Sequence, residues 1–139
     1  MKNDISPKKE TVVFGNDSAV IRKCISCIPG GRTLDCSDFA DDNILAGHVI
    51  IKKSDGSYAP MPVTAATSEP PKAASYGELP GSASYIGILY RSISKSNPAA
   101  SIMYDGVVNS ELMPYPMTEI LTAFKAACPH IIFEQDEEA

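Results

Sequence analysis

The sequence predicts a mainly β fold with one short helix. It is an α+β chain forming a small mixed-β sandwich or barrel-like domain with an extended N-terminal arm. Three observations lead there. The 139 residues include 11 Pro and 9 Gly, a density of turn formers that favours short strands over long helices. Short apolar and aromatic runs recur between clusters of Gly, Pro, Asn, Asp and Ser, which is how strands separated by turns read. Only one stretch, 117–128, carries helical periodicity.

The centre of the pattern is residues 84–109. The run Tyr85-Ile86-Gly87-Ile88-Leu89-Tyr90 is apolar and bounded by turn formers on both sides, so it reads as a buried strand. Gly87 inside it predicts a bulge or a close backbone approach. Two further β-prone runs, Ile102-Met103-Tyr104 and Val107-Val108, flank Asp105-Gly106. Asp-Gly between β formers predicts a tight hairpin turn with positive φ at Gly106.

The remaining elements follow in order. Residues 1–18 form the arm: polar at first, then the β-prone Thr11-Val12-Val13-Phe14. That run is too short to stand alone and must pair with an edge of this chain or of another. Residues 19–28 read as a strand. Ile21, Ile25 and Cys27 share one face, with Arg22 and Ser26 on the other. Pro29-Gly30-Gly31 stops it, and residues 32–35 are extended. Residues 37–43, with Asp38, Asp41 and Asp42, read as an acidic turn or a single helical turn. Residues 47–53 and 58–63 make a hairpin around Ser54-Asp55-Gly56-Ser57. Pro60 and Pro62 confine its second strand to a sheet edge, because proline donates no ladder bond.

Residues 64–82, rich in Ala, Ser, Thr and Pro, predict a long surface loop. Met117, Ile120, Leu121, Phe124 and Cys128 lie on one helical face. Pro116 and Glu119 suit the first turn of that helix, and Pro129 ends it at Cys128. Residues 130–133 read as a last strand, and 134–139 as a solvated acidic tail. The folded unit is therefore a single domain spanning 19–133.

The candidate chemistry is thin. A net charge of −5 argues against a nucleic-acid-binding surface. No apolar run has the roughly 18 residues a membrane span needs. The polar N-terminus lacks the apolar core of a signal peptide, which predicts maturation in a cytoplasm. Cys24 and Cys27 form a Cys-x-x-Cys, with Cys36 and His48 beyond. Structural zinc needs four converging ligands, and this spacing supplies no second pair. In a regular strand Cys24 and Cys27 would also point to opposite faces, which weakens a redox reading. The alternative is that they pack as small apolar residues. Cys36 with His48 lacks an orienting third group. Asp35, Asp38, Asp41 and Asp42 lack the spacing of a calcium loop. No catalytic, cofactor-binding or metal-ligating residue is assigned.

The order of pieces nevertheless carries a resemblance. Ala46-Gly47-His48-Val49-Ile50, Asp55-Gly56-Ser57-Tyr58, Tyr85-Ile86-Gly87-Ile88-Leu89 and Ser101-Ile102-Met103-Tyr104-Asp105-Gly106-Val107-Val108 precede a short helix and an apolar strand. Over residues 34–133 this resembles the lambda-type phage head decoration proteins, including forms from phages and prophages of gut Bacteroidetes. Ile28-Pro29-Gly30-Gly31-Arg32-Thr33-Leu34-Asp35 resembles the lead-in of the latter. The 64–82 loop and the acidic tail have no counterpart in the lambda-type pattern.

The resemblance implies a non-enzymatic virion protein, made in the host bacterial cytoplasm and mounted on the capsid exterior as a homotrimer. There it would hold major capsid protein subunits of the DNA-filled head together. It implies no cofactor, nucleic-acid or membrane partner. An arm that orders on the shell would make Lys8, Lys9, Thr11, Val12, Val13 and Phe14 the capsid-binding residues. Two rival readings stay beside it. One is a virion-attached or host-encoded binding module for a receptor or carbohydrate, with Tyr58, Tyr76 and Tyr115 as exposed aromatics. The other is an enzyme using Cys24 or Cys36.

Overall fold

The computed structural model describes residues 17–69 and 71–134. Lys8, Lys9, Thr11, Val12, Val13 and Phe14 lie outside the described residues, as do 135–139 of the tail. In chain order the described residues form the helical turn α1 (Asp17–Val20), then β1 (Ile21–Cys27), β2 (Arg32–Thr33), β3 (Asn43–Ile44), β4 (Val49–Lys52) and β5 (Tyr58–Pro60). Next come β6 (Val63–Thr64), β7 (Thr67–Ser68), β8 (Pro71–Lys72) and β9 (Ser75–Tyr76). The chain continues through β10 (Ser84–Leu89), β11 (Ile93–Ser94), β12 (Ala99–Ala100) and β13 (Ile102–Asn109). It closes with the helix α2 (Leu121–Ala127) and β14 (Ile131–Glu134). The fold is mainly β with one short helix, as the turn density and strand pattern predict.

One six-stranded sheet organises the domain in the order β1-β13-β10-β4-β5, with β14 added beside β13. All its pairings are antiparallel except β13 with β14. Its middle strands feed two apolar cores, one on each face. Val49 and Ile51 of β4 enter the first core, with Tyr85, Ile88, Met103 and Val108. Ile50, Leu89 and Ile102 enter the second, with Leu34, Phe39 and Ile44. Strands buried on both faces read as continuous apolar runs, which is why Val49-Ile50-Ile51 shows no alternation. Helix α2 covers the first core. Phe124 is fully buried, its ring 5.7 Å from that of Tyr85 and 5.9 Å from that of Phe133. Burying a side chain of this size contributes about 2–3 kcal/mol.

The hairpin at residues 53–57 forms as expected. The Gly56 amide donates to the Lys53 carbonyl and the Lys53 amide to the Ser57 carbonyl. The Asp55 carboxylate accepts from the amide and hydroxyl of Ser57 at 2.9 and 2.6 Å. Gly56 sits at φ +88° with open space where a Cβ would go. Only backbone strain therefore opposes a side chain there. Gly56→Ala should lower stability by about 1 kcal/mol, read as a small shift of the urea midpoint at constant slope. The return strand is shorter than expected: β5 ends at Pro60, Pro62 lies beyond it, and β5 is the sheet edge that Pro60 requires.

Several expectations are overturned. Asp105 and Gly106 make no turn: they lie inside β13, which runs unbroken from Ile102 to Asn109. Positive φ is recorded at Gly30, Gly31, Gly47 and Gly56, and not at Gly106. Gly106 is required instead by close approach, because a Cβ there would meet the Lys23 carbonyl oxygen and, at 2.6 Å, the Met103 sulfur. The 64–82 loop is largely a narrow antiparallel ribbon, β6 pairing β9 and β7 pairing β8. Tyr76 anchors it in the first core.

The periodic segment 117–128 is helical only from Leu121. Met117 and Ile120 precede α2 in a turn closed from the Ile120 amide to the Met117 carbonyl. Pro116 and Glu119 thus lie before the helix, not in its first turn. Gly47 and His48 likewise precede β4. Asp17 and Ser18, expected in the arm, belong to α1, and the Asp17 carboxylate accepts bonds from the Ser92 amide and hydroxyl.

Gly87 behaves as its position in a strand implies. The β10–β4 register slips between Tyr85 and Gly87, and a Cβ on Gly87 would overlap the Met103 carbonyl. The slip matters for the core. It lets Tyr85 and Ile88, three residues apart, face the same side.

Candidate interaction surface

The β1–β13–β14 part of the sheet has one face that neither core covers. Lys23, Val107 and Ile132 lie in register across the three strands, so their side chains share a face. The next row, Ile21, Val108 and Phe133, turns the other way and packs into or against the first core. Ile132 is therefore 54% exposed. Near it, Ile25 of β1 is 55% exposed and Tyr104 of β13 is 41% exposed. Both sit where the β1–β13 register breaks, so each is an extra residue that the ladder pushes outward. Ile25, expected inward with Ile21 and Cys27, faces out for this reason. The outer edge of β1 pairs with no other strand among the described residues.

A second feature is a cleft of about 470 Å³ between the acidic turn, β5 and the ribbon. Asp35, Asp38 and Asp41 line it together with Lys53, Phe39 and Tyr115. The Lys53 ammonium donates to the Asp35 carboxylate at 3.0 Å. The Ser37 hydroxyl, followed by Lys53, holds the Asp35 carboxyl well below its usual range, at about 2. The Tyr115 hydroxyl donates to the Asp41 carboxylate at 3.2 Å. Burial, reinforced by the Asp41 charge, raises the Tyr115 phenol above its ordinary value. Behind this wall His48 is 1% exposed. Its ring meets those of Phe39, Tyr76 and Tyr115 edge-on at 5.2 to 5.6 Å. Its Nε2–H donates to the Met61 carbonyl at 2.9 Å, so the ring is a satisfied core group. Tyr76, expected exposed, is 1% exposed, and its hydroxyl accepts from the Val49 amide at 3.1 Å. Tyr58 and Tyr115 are half-buried.

The cysteines fall into two kinds. Cys36 and Cys128 are buried. Burial raises both thiols, that of Cys128 to about 11, against what a nucleophile near neutral pH requires. Cys24 and Cys27 do not point to opposite faces. Their sulfurs lie 3.0 Å apart. The residue between their ladder positions, Ile25, is extra to the pairing, and one extra residue reverses the face parity of everything after it. No group of three or more His, Cys, Asp or Glu able to hold a metal occurs among the described residues. No helix among them is long and apolar enough to cross a membrane.

Sequence reasoning missed the exposed strip formed by Ile25, Tyr104 and Ile132. A partial signal existed in Ile131-Ile132-Phe133, since a strand with one covered face must turn alternate residues outward. No such signal existed for Ile25 or Tyr104. No family model matches the chain, and no match to a curated protein or to a solved structure was found.

Proposed function

We propose that the domain is a non-enzymatic structural protein of a phage head, bound as a homotrimer to the outer surface of the capsid. The observation that supports this best is the apolar strip of Ile25, Tyr104, Val107 and Ile132, which no described residue covers, beside the edge of β1 that no described strand pairs. An apolar strip next to a free strand edge suits burial by another protein subunit. The partners are a second copy of the chain and the major capsid protein. The arm, through Lys8, Lys9, Thr11, Val12, Val13 and Phe14, adds the contact to the shell by strand addition and by salt-sensitive charge pairing.

The test uses shells assembled from the major capsid protein encoded in the same genome. The full chain should cosediment with expanded shells and not with unexpanded ones. Removal of residues 1–14 should abolish cosedimentation while leaving the domain folded. Ile132→Lys should disrupt the trimer in light scattering. A full chain that binds neither shell form would overturn the proposal.

The cleft beside Tyr115 favours a second reading, a binding module for a glycan or receptor. Carboxylates and a half-buried aromatic ring are the groups that bind sugar hydroxyls and faces. Glycan binding that is lost in Asp38→Ala and kept in Ile132→Lys would select that reading.

A further inference from the structure

The geometry points to Cys24 and Cys27 as a redox modification site: a dithiol on β1 built to close into an intrachain disulfide by exchange with a small-molecule disulfide. This does not depend on the capsid reading. In a regular strand, residues three apart face opposite sides and cannot be bridged. Here the β1–β13 register shifts between Cys24 and Ser26, and again between Ser26 and Cys27. The first shift places the extra residue Ile25 on β1 and the second places Tyr104 on β13. The two shifts offset each other, so β1 returns to register beyond them while both thiols stand on one side. Gly106 lies opposite Cys24. Its missing side chain leaves Met103 close against the strand there.

The sulfurs are 3.0 Å apart, about 1 Å more than the covalent bond. Both residues are half-buried at the margin of the first core, within reach of a small reagent. Burial, followed by the hydrogen bond that the Cys27 thiol donates to the Cys24 sulfur, pushes the Cys27 thiol up to about 12. The reduced pair therefore gains nothing from a stabilised thiolate at Cys27, which favours a persistent disulfide over a strongly oxidising one.

The Cys24 thiolate attacks one sulfur of a low-molecular-weight disulfide such as oxidised glutathione, releasing one thiolate and leaving a mixed disulfide. Once Cys24 is held in the mixed disulfide, its hydrogen bond and charge no longer raise the Cys27 thiol; Cys27 gives its proton to solvent, attacks the adjacent Cys24 sulfur and expels the second thiolate. Two electrons pass to the small disulfide, and the two protons lost by the cysteines end on the two small thiols.

The experiment incubates the full native chain with oxidised glutathione, blocks remaining thiols with an alkylating agent, and maps peptides by mass. The expected result is a peptide containing residues 24–27 that lacks two hydrogens and carries no alkyl group. Dithiothreitol should restore alkylation at both positions. The same incubation in denaturant should form this bond more slowly, because the folded strand supplies the juxtaposition. Alkylation of both residues after oxidation would overturn the proposal. So would glutathione mixed disulfides at these residues without the internal bond, or equal rates in native and denatured chains.

Discussion

Gly106→Val is expected to lower folding stability by about 3 kcal/mol or more, the upper end of what overpacking costs. β13 is the hub of the sheet, pairing with β1, β10 and β14, and Gly106 sits in its middle. Any Cβ there would overlap the Lys23 carbonyl oxygen of β1 and press on the Met103 sulfur. The first is backbone and can yield only by moving β1. The second belongs to a fully buried side chain of the first core. Relief therefore requires separating β1 from β13 or repacking the core, and both lose buried area. The contrast with Gly56 is a direct control. There a side chain meets open space, and only the turn conformation resists. Urea unfolding followed by circular dichroism should place the Gly106→Val midpoint far below that of Gly56→Ala. Equal midpoints would mean that β1 does not lie against Gly106.

Acid should destabilise the domain through His48, at a pH well above that of the paired carboxylates. Burial lowers its pKa from 6.5 to about 4, although the Met61 carbonyl and Asp41 both favour the charged ring. The unfolded chain therefore takes up a proton below pH 6.5 that the fold excludes down to about pH 4. Stability contributed by the neutral ring is complete above pH 6.5. It falls through the interval down to about pH 4 and levels off below that. A shift of this size integrates to about 3 kcal/mol. Asp35, lowered from 3.8 to about 2, and Asp55, also lowered, lose their contributions only as pH drops below 3.8, so the windows separate. His48→Gln offers an amide donor for the Met61 carbonyl and cannot titrate. Urea midpoints measured from neutral pH to about pH 4 should slope for the native chain and flatten for the variant. Parallel slopes would remove His48 as the origin.

The contrast between the two Asp-Gly dipeptides explains much of what sequence reading achieved. Asp55-Gly56 and Asp105-Gly106 carry the same dipeptide between β formers. One makes a turn and the other lies within a strand. The first is flanked by Ser54 and Ser57, whose polarity matches an exposed loop, and Asp55 bonds locally to Ser57. The second is placed by its neighbours, since Val107 and Val108 pair with β14 and with β1 at once. Local preference is worth about 1 kcal/mol. Several strand pairings outweigh it.

By itself the sequence determined the fold class, the strands within 47–53 and 84–90 though not their ends, the sheet edge marked by Pro60, and the close backbone contact at Gly87. It also determined the apolar residues of the 117–128 segment. These features depend on groups near in sequence: fixed φ at proline, the missing Cβ of glycine, and the period of apolar side chains. Only the tertiary structure decided which face Ile25, Tyr104 and Ile132 present, that Tyr76 is a core residue, and that Cys24 meets Cys27. Those outcomes depend on register. A single extra residue in one strand reverses the facing of all that follows, and where it falls is set by the partner strand, which is distant in the chain.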